Sequence, residues 1–353
     1  MALSHPLTVP TEPANTVPAG WYTVAAGAAL PVGGLQSAHL AGIDLVVYRG
    51  SDGAVHCVHD RCPHLGGRFS CGGSVEENFL VCPVHRFAFD REGICQRTGY
   101  GGAAAPKART RHWPCLERNG WVLVWFHPAG AAPDWQPEAV AESDYGPATV
   151  WSDPVDASVQ TIMEGIADQG HLATVHGYDA VAREGAFDAE GPCLRTAYRF
   201  SNASEGPAWL PAALRRHLAS SEQVRFDYCA WGLGYSVTDV EIPRLGLGMR
   251  TFVNPTPLAP DRSLLWHSMA LRRIDHPGRI HPLLRALPRR SVEAIMRRAL
   301  RRGYLRDIHD DIRLWQTLAP PAAPALAPGD GPIAKHRRWA AQFYGEAAPQ
   351  QYG

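Results

Sequence analysis

The sequence predicts an α+β fold in two parts, an N-terminal all-β module followed by a domain that mixes strands and helices. From Trp21 to about Pro128, short apolar runs are broken by glycine, aspartate and proline, which is typical of strands joined by tight turns. After about residue 145 the pattern changes, because strand candidates between 195 and 270 are followed by a stretch of helical periodicity at 291–306. A chain of 353 residues accommodates two domains of ordinary size.

Four apolar stretches carry the strand predictions. Residues 43–48 form an apolar run that ends at the turn signal of residues 49–53, and residues 121–126 are apolar throughout, as in a buried strand. Further strands are predicted within the second half at 225–230 and 264–271.

Three stretches of the second half predict helices. Residues 158–176 can form a helix that carries two histidines. In residues 291–306 an apolar helical face is formed by Val292, Ile295, Met296, Ala299 and Leu300. A further helical segment is predicted at 306–316, and the prolines within 320–328 end it.

The change in pattern predicts four segments along the chain. We expect a flexible N-terminal tail at 1–18, a first domain at 19–130, a linker at 131–148 and a second domain at 149–345. Proline and alanine dominate the start of the predicted linker, where neither strand nor helix periodicity is found.

The bulk composition excludes several classes of protein. The formal net charge is zero and no nucleic-acid motif is found, so nucleic acid is not an expected partner. No segment has the roughly 18–20 consecutive apolar residues of a transmembrane helix, and the first 20 residues lack the pattern of a secretion signal. Eight cysteines without such a signal suggest reduced thiols and metal ligands rather than disulfides. We therefore expect a cytoplasmic enzyme.

Two loops of the N-terminal half each contain one cysteine and one histidine. Cys62 and His64 form the first pair, and Cys82 and His85 form the second. Such a set binds either a tetrahedral zinc ion or a Rieske [2Fe–2S] cluster, in which two cysteines hold one iron and two histidines the other. The distribution favours the cluster, because zinc ribbons more commonly place two cysteines in one loop. A zinc site and four unrelated buried residues remain the alternatives.

A second group of candidate ligands lies in the predicted helix at 158–176. His171 and His176 are five residues apart, which on a regular helix separates them by about 140°. They can share a metal only if the helix ends or bulges between them, and the spacing alone leaves two unrelated histidines as the alternative. An electron-transfer cluster needs a destination, however, and two histidines with one carboxylate leave open positions on Fe(II) for O2.

The cysteine–histidine loops resemble the Rieske domain of ring-hydroxylating-type oxygenases through C-P-H-L-G-G, V-C-P-V-H-R-F-A-F-D and G-I-C. The resemblance implies that the cluster ligands are Cys62, His64, Cys82 and His85. High-potential respiratory Rieske proteins carry a disulfide between the loops, and the corresponding positions here are Gly67 and Val84. A respiratory role is therefore not expected. One departure from the family is Arg86, which precedes Phe87 where glycine is usual.

The second group resembles the motif E/N-x-x-x-D-x-x-H-x-x-x-x-H of the same oxygenases, with Glu164, Asp168, His171 and His176 in order. The resemblance implies that His171 and His176 bind a mononuclear Fe(II). It also implies that Asp168 accepts a hydrogen bond from a cluster histidine of a neighbouring subunit and so bridges the two sites. Because Asp168 precedes His171 by three residues, we expect both on one helical face.

The third iron ligand of the family is a distant aspartate before a pattern similar to D-I-x-I-W. Alignment to this pattern selects Asp311, with Asp310 as the fallback. The family fold implies a catalytic domain of the helix-grip type with an antiparallel sheet at 149–345. Within the family the chain is most similar to the 3-ketosteroid 9α-hydroxylase and cholesterol 7-desaturase branch, on residues at 20–22, 311–315, 330–332 and 338–344.

The resemblance implies the terminal oxygenase component of a system that uses O2. A separate reductase of flavin or ferredoxin type would pass on electrons from NAD(P)H, and a homotrimer would bring the cluster of one subunit to the iron of the next. The expected substrate is bulky, apolar and steroid-like or polycyclic. Its C–H bond would be hydroxylated, desaturated, demethylated or oxidatively cyclised. The alternatives are a Rieske electron carrier without oxygenase activity and a zinc-stabilised binding protein.

Overall fold

The computed structural model describes residues 17–101, 107–202 and 222–345, and every structural statement below concerns those residues. The predicted tail at 1–18 therefore lies almost entirely outside the described residues. Within them, no helix combines the length and the apolar character that crossing a bilayer would require.

The N-terminal half is built from short antiparallel strands, as predicted. They are β1 (Gly20–Ala26), β2 (Leu35–Leu40), β3 (Ile43–Arg49), β4 (Val55–His59), β5 (Ser74–Glu76), β6 (Phe79–Val81), β7 (Ala88–Phe89), β8 (Cys95–Arg97), β9 (His112–Trp113), β10 (Cys115–Arg118) and β11 (Trp121–Phe126). The described residues form sheets of order β1-β11-β10, β2-β3-β4-β9 and β5-β6-β7-β8. One cysteine–histidine loop follows β4 and the other joins β6 to β7, which places both at one end of this half.

The second half contains an antiparallel sheet of seven described strands, which confirms the α+β prediction. These are β12 (Thr149–Val155), β13 (Asp179–Glu190), β14 (Cys193–Asn202), β15 (Glu222–Trp231), β16 (Tyr235–Ile242), β17 (Leu247–Ala259) and β18 (Arg262–Leu271). Their order is β12-β18-β17-β16-β15-β14-β13. The described helices are α1 (Val159–Glu164), α2 (Gln169–Thr174), α3 (Pro277–Ile280), α4 (Arg289–Trp315) and α5 (Ile333–Ala340), with 3-10 turns at Gly27–Ala29, Pro282–Ala286 and Ala341–Tyr344.

The three helix predictions were wrong in their extent. The segment 158–176 is not one helix, because α1 ends at Glu164 and α2 begins only after Asp168, whose side chain caps it. At the bend, a side chain on Gly165 would approach the indole nitrogen of Trp315 to 3.3 Å, so packing against α4 favours glycine there. The separate segments predicted at 291–306 and 306–316 are one continuous helix, α4.

The two halves share a hydrophobic core. Tyr22 of β1 and Val124 of β11 belong to the same buried cluster as Leu194 of β14 and Trp339 of α5. A hydrogen bond of 3.1 Å from the amide of Asn254 to the hydroxyl of Thr23 also joins β17 to β1 in the interior. Since Asn254 is fully buried, this polar contact fixes how the strands of the two halves meet.

Candidate metal centres

The two cysteine–histidine loops adopt the same backbone turn. In the first loop, the amide of Cys62 donates to the carbonyl of Gly67 at 2.8 Å, and the amide of Gly66 donates to the carbonyl of Cys62 at 2.9 Å. The second loop repeats both bonds from Cys82 onward, at 2.9 and 3.0 Å. The two loops are thus related turn by turn, although their histidines stand at different offsets from the cysteines.

The fifth position of each turn requires left-handed backbone. Gly66 has φ +76° in the first loop, and Arg86 has φ +53° at the equivalent position of the second. This conformation strains residues with a side chain but not glycine, which explains why glycine is usual where this chain has Arg86. The guanidinium of Arg86 forms an ion pair with Glu76, and the next residue, Phe87, stacks on His64 with ring centroids 4.4 Å apart.

The four predicted cluster ligands converge between the loops. Nδ1 of His64 lies 3.2 Å from Nδ1 of His85, and the buried thiols of Cys62 and Cys82 are within hydrogen-bonding distance of each other. Burial raises the pKa of Cys62 to about 12, so the thiol keeps its proton unless a metal replaces it. Each loop supplies one thiol and one imidazole, and the resulting set of two thiols and two imidazoles fits the ligands of a Rieske cluster.

The loops approach each other too closely for a side chain on Gly67. A Cβ there would lie 2.8 Å from Cγ2 of Val84 and 3.4 Å from Sγ of Cys82. Gly67 and Val84 are the positions at which respiratory Rieske proteins have their cysteine pair. The two positions face each other in this chain as well, but with an aliphatic contact in place of a bond.

Apolar side chains surround the histidine pair at the tip of the domain. Leu65 is 74% exposed, Val84 58% and Tyr100 68%, and the ring of Tyr100 lies 6.5 Å from that of His85. Exposed apolar groups of this size beside half-buried histidines are typical of a surface that another protein covers.

The second predicted site combines His171 of α2, His176 just after α2, and Asp311 of α4. Ligand atoms of His171, His176 and Asp311 lie within 4.8 Å of one another. Oδ1 of Asp311 is 3.7 Å from Nε2 of His171 and 3.0 Å from Nε2 of His176. A shared metal was predicted to require that the helix end or bulge between the two histidines, and α2 does end between them, at Thr174.

The polar atoms of this group are better placed to bind a metal than to form hydrogen bonds with one another. The buried Oδ1 of Asp311 and Nδ1 of His176 have no well-aligned hydrogen-bond partner among the described residues, despite the short distance between Asp311 and Nε2 of His176. Atoms that converge on a common centre show such contacts, and the donor set of two imidazoles and one carboxylate suits Fe(II). Burial alone would lower the pKa of His176, but the adjacent carboxylate of Asp311 raises it above its usual value.

Asp168 orients His171 through the backbone as well as the side chain. The carboxylate of Asp168 accepts a hydrogen bond from the amide of His171 at 3.1 Å, as an N-cap. The carbonyl of Asp168 lies 2.5 Å from Nδ1 of His171, which leaves Nε2 free to face Asp311. Asp168 therefore precedes α2 and does not lie on its face, contrary to the prediction of a shared helical face, because the chain bends at the N-cap.

The two adjacent aspartates of α4 have different surroundings. The carboxylate of Asp310 forms an ion pair with Arg313, although it also lies within 4.8 Å of ligand atoms of His176 and Asp307. Asp307 accepts a hydrogen bond of 2.8 Å from the hydroxyl of Tyr178, and burial raises the pKa of the Asp307 carboxyl. Of the two candidates, Asp311 is the one that approaches both histidines.

An apolar cavity of about 690 Å³ opens onto this group. Its wall includes residues of α1, of the large sheet and of α4, among them Ile162, Phe200, Phe226, Val240, Leu247 and Met296. His171, His176 and Asp311 also line it. The volume is in the range of pockets that enclose a whole organic ligand.

Interactions of two polar residues in this domain, one fully buried and one partly buried, were not predicted. His267 is fully buried, with Nε2 2.8 Å from the carboxylate of Asp153 and Nδ1 3.1 Å from the hydroxyl of Tyr304, a residue that lines the cavity. Glu164, which the sequence motif contained without a role, pairs with Arg337. The match of Glu164 to the first position of the sequence motif indicated that this residue matters, whereas nothing in the local sequence indicates a special position for His267.

Comparisons with known proteins agree with this architecture. A family model described as the Rieske [2Fe–2S] domain matches residues 20–105, and one described as the 3-ketosteroid 9α-hydroxylase C-terminal domain matches residues 124–344. Cholesterol 7-desaturase nvd of Hemicentrotus pulcherrimus is 29% identical over 352 residues, covering 94% of this chain and 71% of the relative. The oxygenase component of 3-ketosteroid-9-alpha-monooxygenase of Rhodococcus rhodochrous is 25% identical over 337 residues, covering 92% and 79%.

Solved structures share the fold. The crystal structure of dicamba monooxygenase bound to dicamba has a TM-score of 0.63 at 20% identity, and the match covers 92% of this chain and 96% of that chain. A Rieske domain followed by this sheet-and-helix domain defines a Rieske oxygenase, an oxidoreductase whose cofactors are a [2Fe–2S] cluster and a non-haem iron. The second family model spans more than half of the chain, so the chain belongs to the 3-ketosteroid 9α-hydroxylase family of these enzymes. The predicted resemblance is confirmed, and the zinc-protein and electron-carrier alternatives are set aside.

Proposed function

We propose that this chain is the terminal oxygenase of a multicomponent system and oxidises a C–H bond of a bulky apolar, steroid-like or polycyclic substrate. The observation that carries the proposal is the apolar cavity of about 690 Å³ that ends at His171, His176 and Asp311. The names of the relatives, which refer to cholesterol and to 3-ketosteroids, support a substrate of this class. Hydroxylation, desaturation, demethylation and oxidative cyclisation are all compatible with such a cavity.

We infer that the iron ligands are His171, His176 and Asp311. When bound, the iron would supply the centre at which O2 is activated. The hydrogen-bonding geometry of Asp168 keeps Nε2 of His171 directed at that centre, and the apolar wall excludes water from it. Asp310 is the less suitable third ligand because Arg313 already neutralises its carboxylate.

We further infer that the cluster is held by Cys62, His64, Cys82 and His85. These residues lie within the domain proposed at 19–130, with the linker at 131–148 and the catalytic domain at 149–345. A separate reductase, supplied by NAD(P)H, would reduce the cluster, since the relatives from Rhodococcus rhodochrous are named oxygenase components. A cytoplasmic location is consistent with eight cysteines that are all unbridged.

The route between the two sites is proposed to cross a subunit boundary in a homotrimer. The exposed apolar tip formed by Leu65, Val84 and Tyr100 would pack against a neighbouring catalytic domain. His85 or His64 would then donate a hydrogen bond to Asp168 of that neighbour, whose backbone contacts His171.

Iron analysis of two neighbouring aspartate variants tests the assignment of the third ligand. The iron content of Asp311→Asn should be at least about tenfold lower than that of the unmodified protein, because a neutral amide replaces an anionic ligand. Asp310→Asn should retain iron and cluster like the unmodified protein. The reverse order of iron contents, measured after anaerobic Fe(II) loading and desalting, would transfer the role to Asp310.

Subunit complementation tests the inter-subunit route. Asp168→Ala should keep both metals and lose nearly all turnover, and Cys62→Ala should lose the cluster and its visible absorbance. Co-expression of the two variants should restore part of the turnover, because mixed trimers contain an intact cluster beside an intact Asp168. Native mass spectrometry can show whether mixed oligomers have formed. If they have formed and turnover is still not restored, either by mixing or by co-expression, the route is contradicted.

Product analysis tests the substrate class. A surrogate reductase, NADH and a panel of steroids and polycyclic compounds should yield an oxygenated or dehydrogenated product whose formation is lost in His171→Ala. The visible spectrum of that variant should be unchanged, which separates loss of the iron site from loss of the cluster.

A further inference from the structure

A short segment before helix α4 directs two leucines toward solvent. Leu283 lies in the 3-10 turn Pro282–Ala286 and is 75% exposed, more than any other large apolar side chain of the described residues. Leu287 follows it and is 42% exposed. Leu284, between them, is only 7% exposed and packs with Ile280 and Met296 in a buried cluster. The turn is therefore anchored on one side and presents leucines on the other.

Arginines surround these leucines. Residues 277–306 contain nine arginines, one glutamate and neither lysine nor aspartate, although the whole chain has no net charge. Arg285 and Arg290 are exposed and form no ion pair within the described residues, whereas Arg289 pairs with Asp275 and Glu293. We call Leu283, Leu287, Arg285, Arg289 and Arg290 the arginine–leucine patch.

Helix α4 connects this patch to the cavity. Met296 and Leu300 line the cavity, and so do Arg302 and Arg306, whose exposure shows that the cavity reaches the surface along this helix. The helical rise places Arg302 about 18 Å from Arg290. The turn that carries the patch also packs through Leu284 on Met296, which lines the cavity, so the patch and the cavity wall are joined through one helix.

We propose that the arginine–leucine patch docks the enzyme onto the anionic surface of a lipid bilayer. Leu283 and Leu287 would enter the acyl layer just below the headgroups, while the arginines would contact lipid phosphates. A bilayer combines an apolar layer with negative charge directly above it, and this matches both parts of the patch. An acidic protein surface would match the arginines but would leave the most exposed leucine without a complementary contact.

Docking in this way would hold the start of the helix that lines the cavity at the phase in which apolar compounds concentrate. That consequence rests on the proposed function, but the docking itself does not. The test can therefore be a binding measurement that requires no turnover, so its failure is distinguishable from failure of the proposed function.

Vesicle flotation of the purified full chain tests the proposal. We expect co-flotation with vesicles of phosphatidylcholine and phosphatidylglycerol, weakening with salt, and little with phosphatidylcholine alone. The double variant Leu283→Ser/Leu287→Ser should lower the partition coefficient at least about tenfold. Arg285→Gln/Arg290→Gln should lower it by roughly tenfold or more.

A matched control is available outside the patch. Leu318 and Leu326 are 46% and 42% exposed, and Leu318→Ser/Leu326→Ser should leave flotation unchanged. All variants should keep the unfolding midpoint and visible spectrum of the unmodified protein, since only surface side chains change.

Three results would overturn the proposal. The first is absence of flotation with the anionic vesicles, or an equal loss in the control variant. The second is a smaller oligomer for Leu283→Ser/Leu287→Ser in light scattering, which would mean that a second copy of the chain covers the patch. The third is unchanged flotation of the arginine variant together with slower cluster reduction, which would assign the patch to an acidic reductase.

Discussion

Glu164 accepts two hydrogen bonds of 2.7 Å from Arg337, one from Nε and one from Nη2. Both side chains are nearly buried, with 14% and 5% exposure. The pair joins the end of α1, four residues before Asp168, to α5 near the end of the described chain. A second contact, from the amide of Gln169 to the carbonyl of Asp330 at 2.8 Å, joins the same two regions. The C-terminal helix thus supports the turn that carries His171.

Removing Arg337 should destabilise the protein strongly. Arg337→Ala leaves the Glu164 carboxylate buried without its partner, for which we expect a loss of about 3–5 kcal/mol. Arg338→Ala, at an exposed neighbour on the same helix, should change the stability by less than about 0.5 kcal/mol. Urea midpoints followed by tryptophan fluorescence measure both. Equal midpoints for the two variants would show that the pair contributes little.

His336 should make stability depend on pH in the acid range. Burial lowers the pKa of His336 to about 3, and the charge of Arg337 acts in the same direction. The unfolded chain takes up this proton near pH ~6.5, so the contribution of His336 is fully present above that pH and is lost as the pH falls toward 3. The total loss is roughly 5 kcal/mol, at about 1.36 kcal/mol for each pKa unit between about 6.5 and about 3.

Substitution by glutamine should remove this part of the pH dependence. Urea midpoints between pH 7 and 4 should fall less steeply for His336→Gln than for the unmodified protein, whatever their level at pH 7. His112→Gln, at an exposed histidine, is the control and should keep the original slope. A parallel slope for His336→Gln would mean that other groups account for acid unfolding.

A disulfide should form between the two cluster loops when cysteines are placed at Gly67 and Val84. A Cβ on Gly67 would lie 3.7 Å from Cβ of Val84, inside the range of about 3.5–4.5 Å found in disulfides. Thiol titration of Gly67→Cys/Val84→Cys under denaturing conditions should therefore show no gain in free thiols until reductant is added. Two additional thiols before reduction would contradict the prediction.

The same close approach predicts a clash and its rescue. Gly67→Ala places a methyl group 2.8 Å from Cγ2 of Val84, so the loops should separate and the cluster content should fall. Adding Val84→Ala removes that neighbour and should restore the cluster. Visible absorbance and acid-labile sulfide per chain measure both effects, and a full cluster in the single variant would show that the loops adjust without cost.

The protein should be more stable when Arg86 is replaced by glycine than when it is replaced by alanine. The φ of +53° at Arg86 costs a residue with a side chain about 1 kcal/mol, while the ion pair of Arg86 with Glu76 is exposed and contributes little to stability. Arg86→Gly and Arg86→Ala both lose the pair, but only the glycine variant relieves the backbone. We expect it to be more stable by about 1 kcal/mol in urea unfolding, and equal midpoints would argue against strain at this turn.

The local elements followed closely from local patterns. The strand predicted at 121–126 is β11 without change, and those at 225–230 and 264–271 lie within β15 and β18. The helix predicted at 158–176 failed because its period continues through Gly165, whereas packing against Trp315 and the cap at Asp168 bend the chain there. Periodicity reports which face is apolar, but it does not report where tertiary contacts interrupt a helix.

By itself the sequence determined the class of enzyme and predicted ligands for both sites, because the ligands of each cysteine–histidine loop, like the two histidines of the second site, are neighbours in the chain. It also required the helix to end or bulge between His171 and His176, since on a regular helix their spacing directs them away from a shared metal. Only the tertiary structure showed that Asp311, which the alignment had selected over Asp310, approaches both histidines, and that Arg337 neutralises Glu164. Those relationships depend on how distant helices rotate and pack against one another, and side-chain packing across a core is not encoded in any single stretch of the chain.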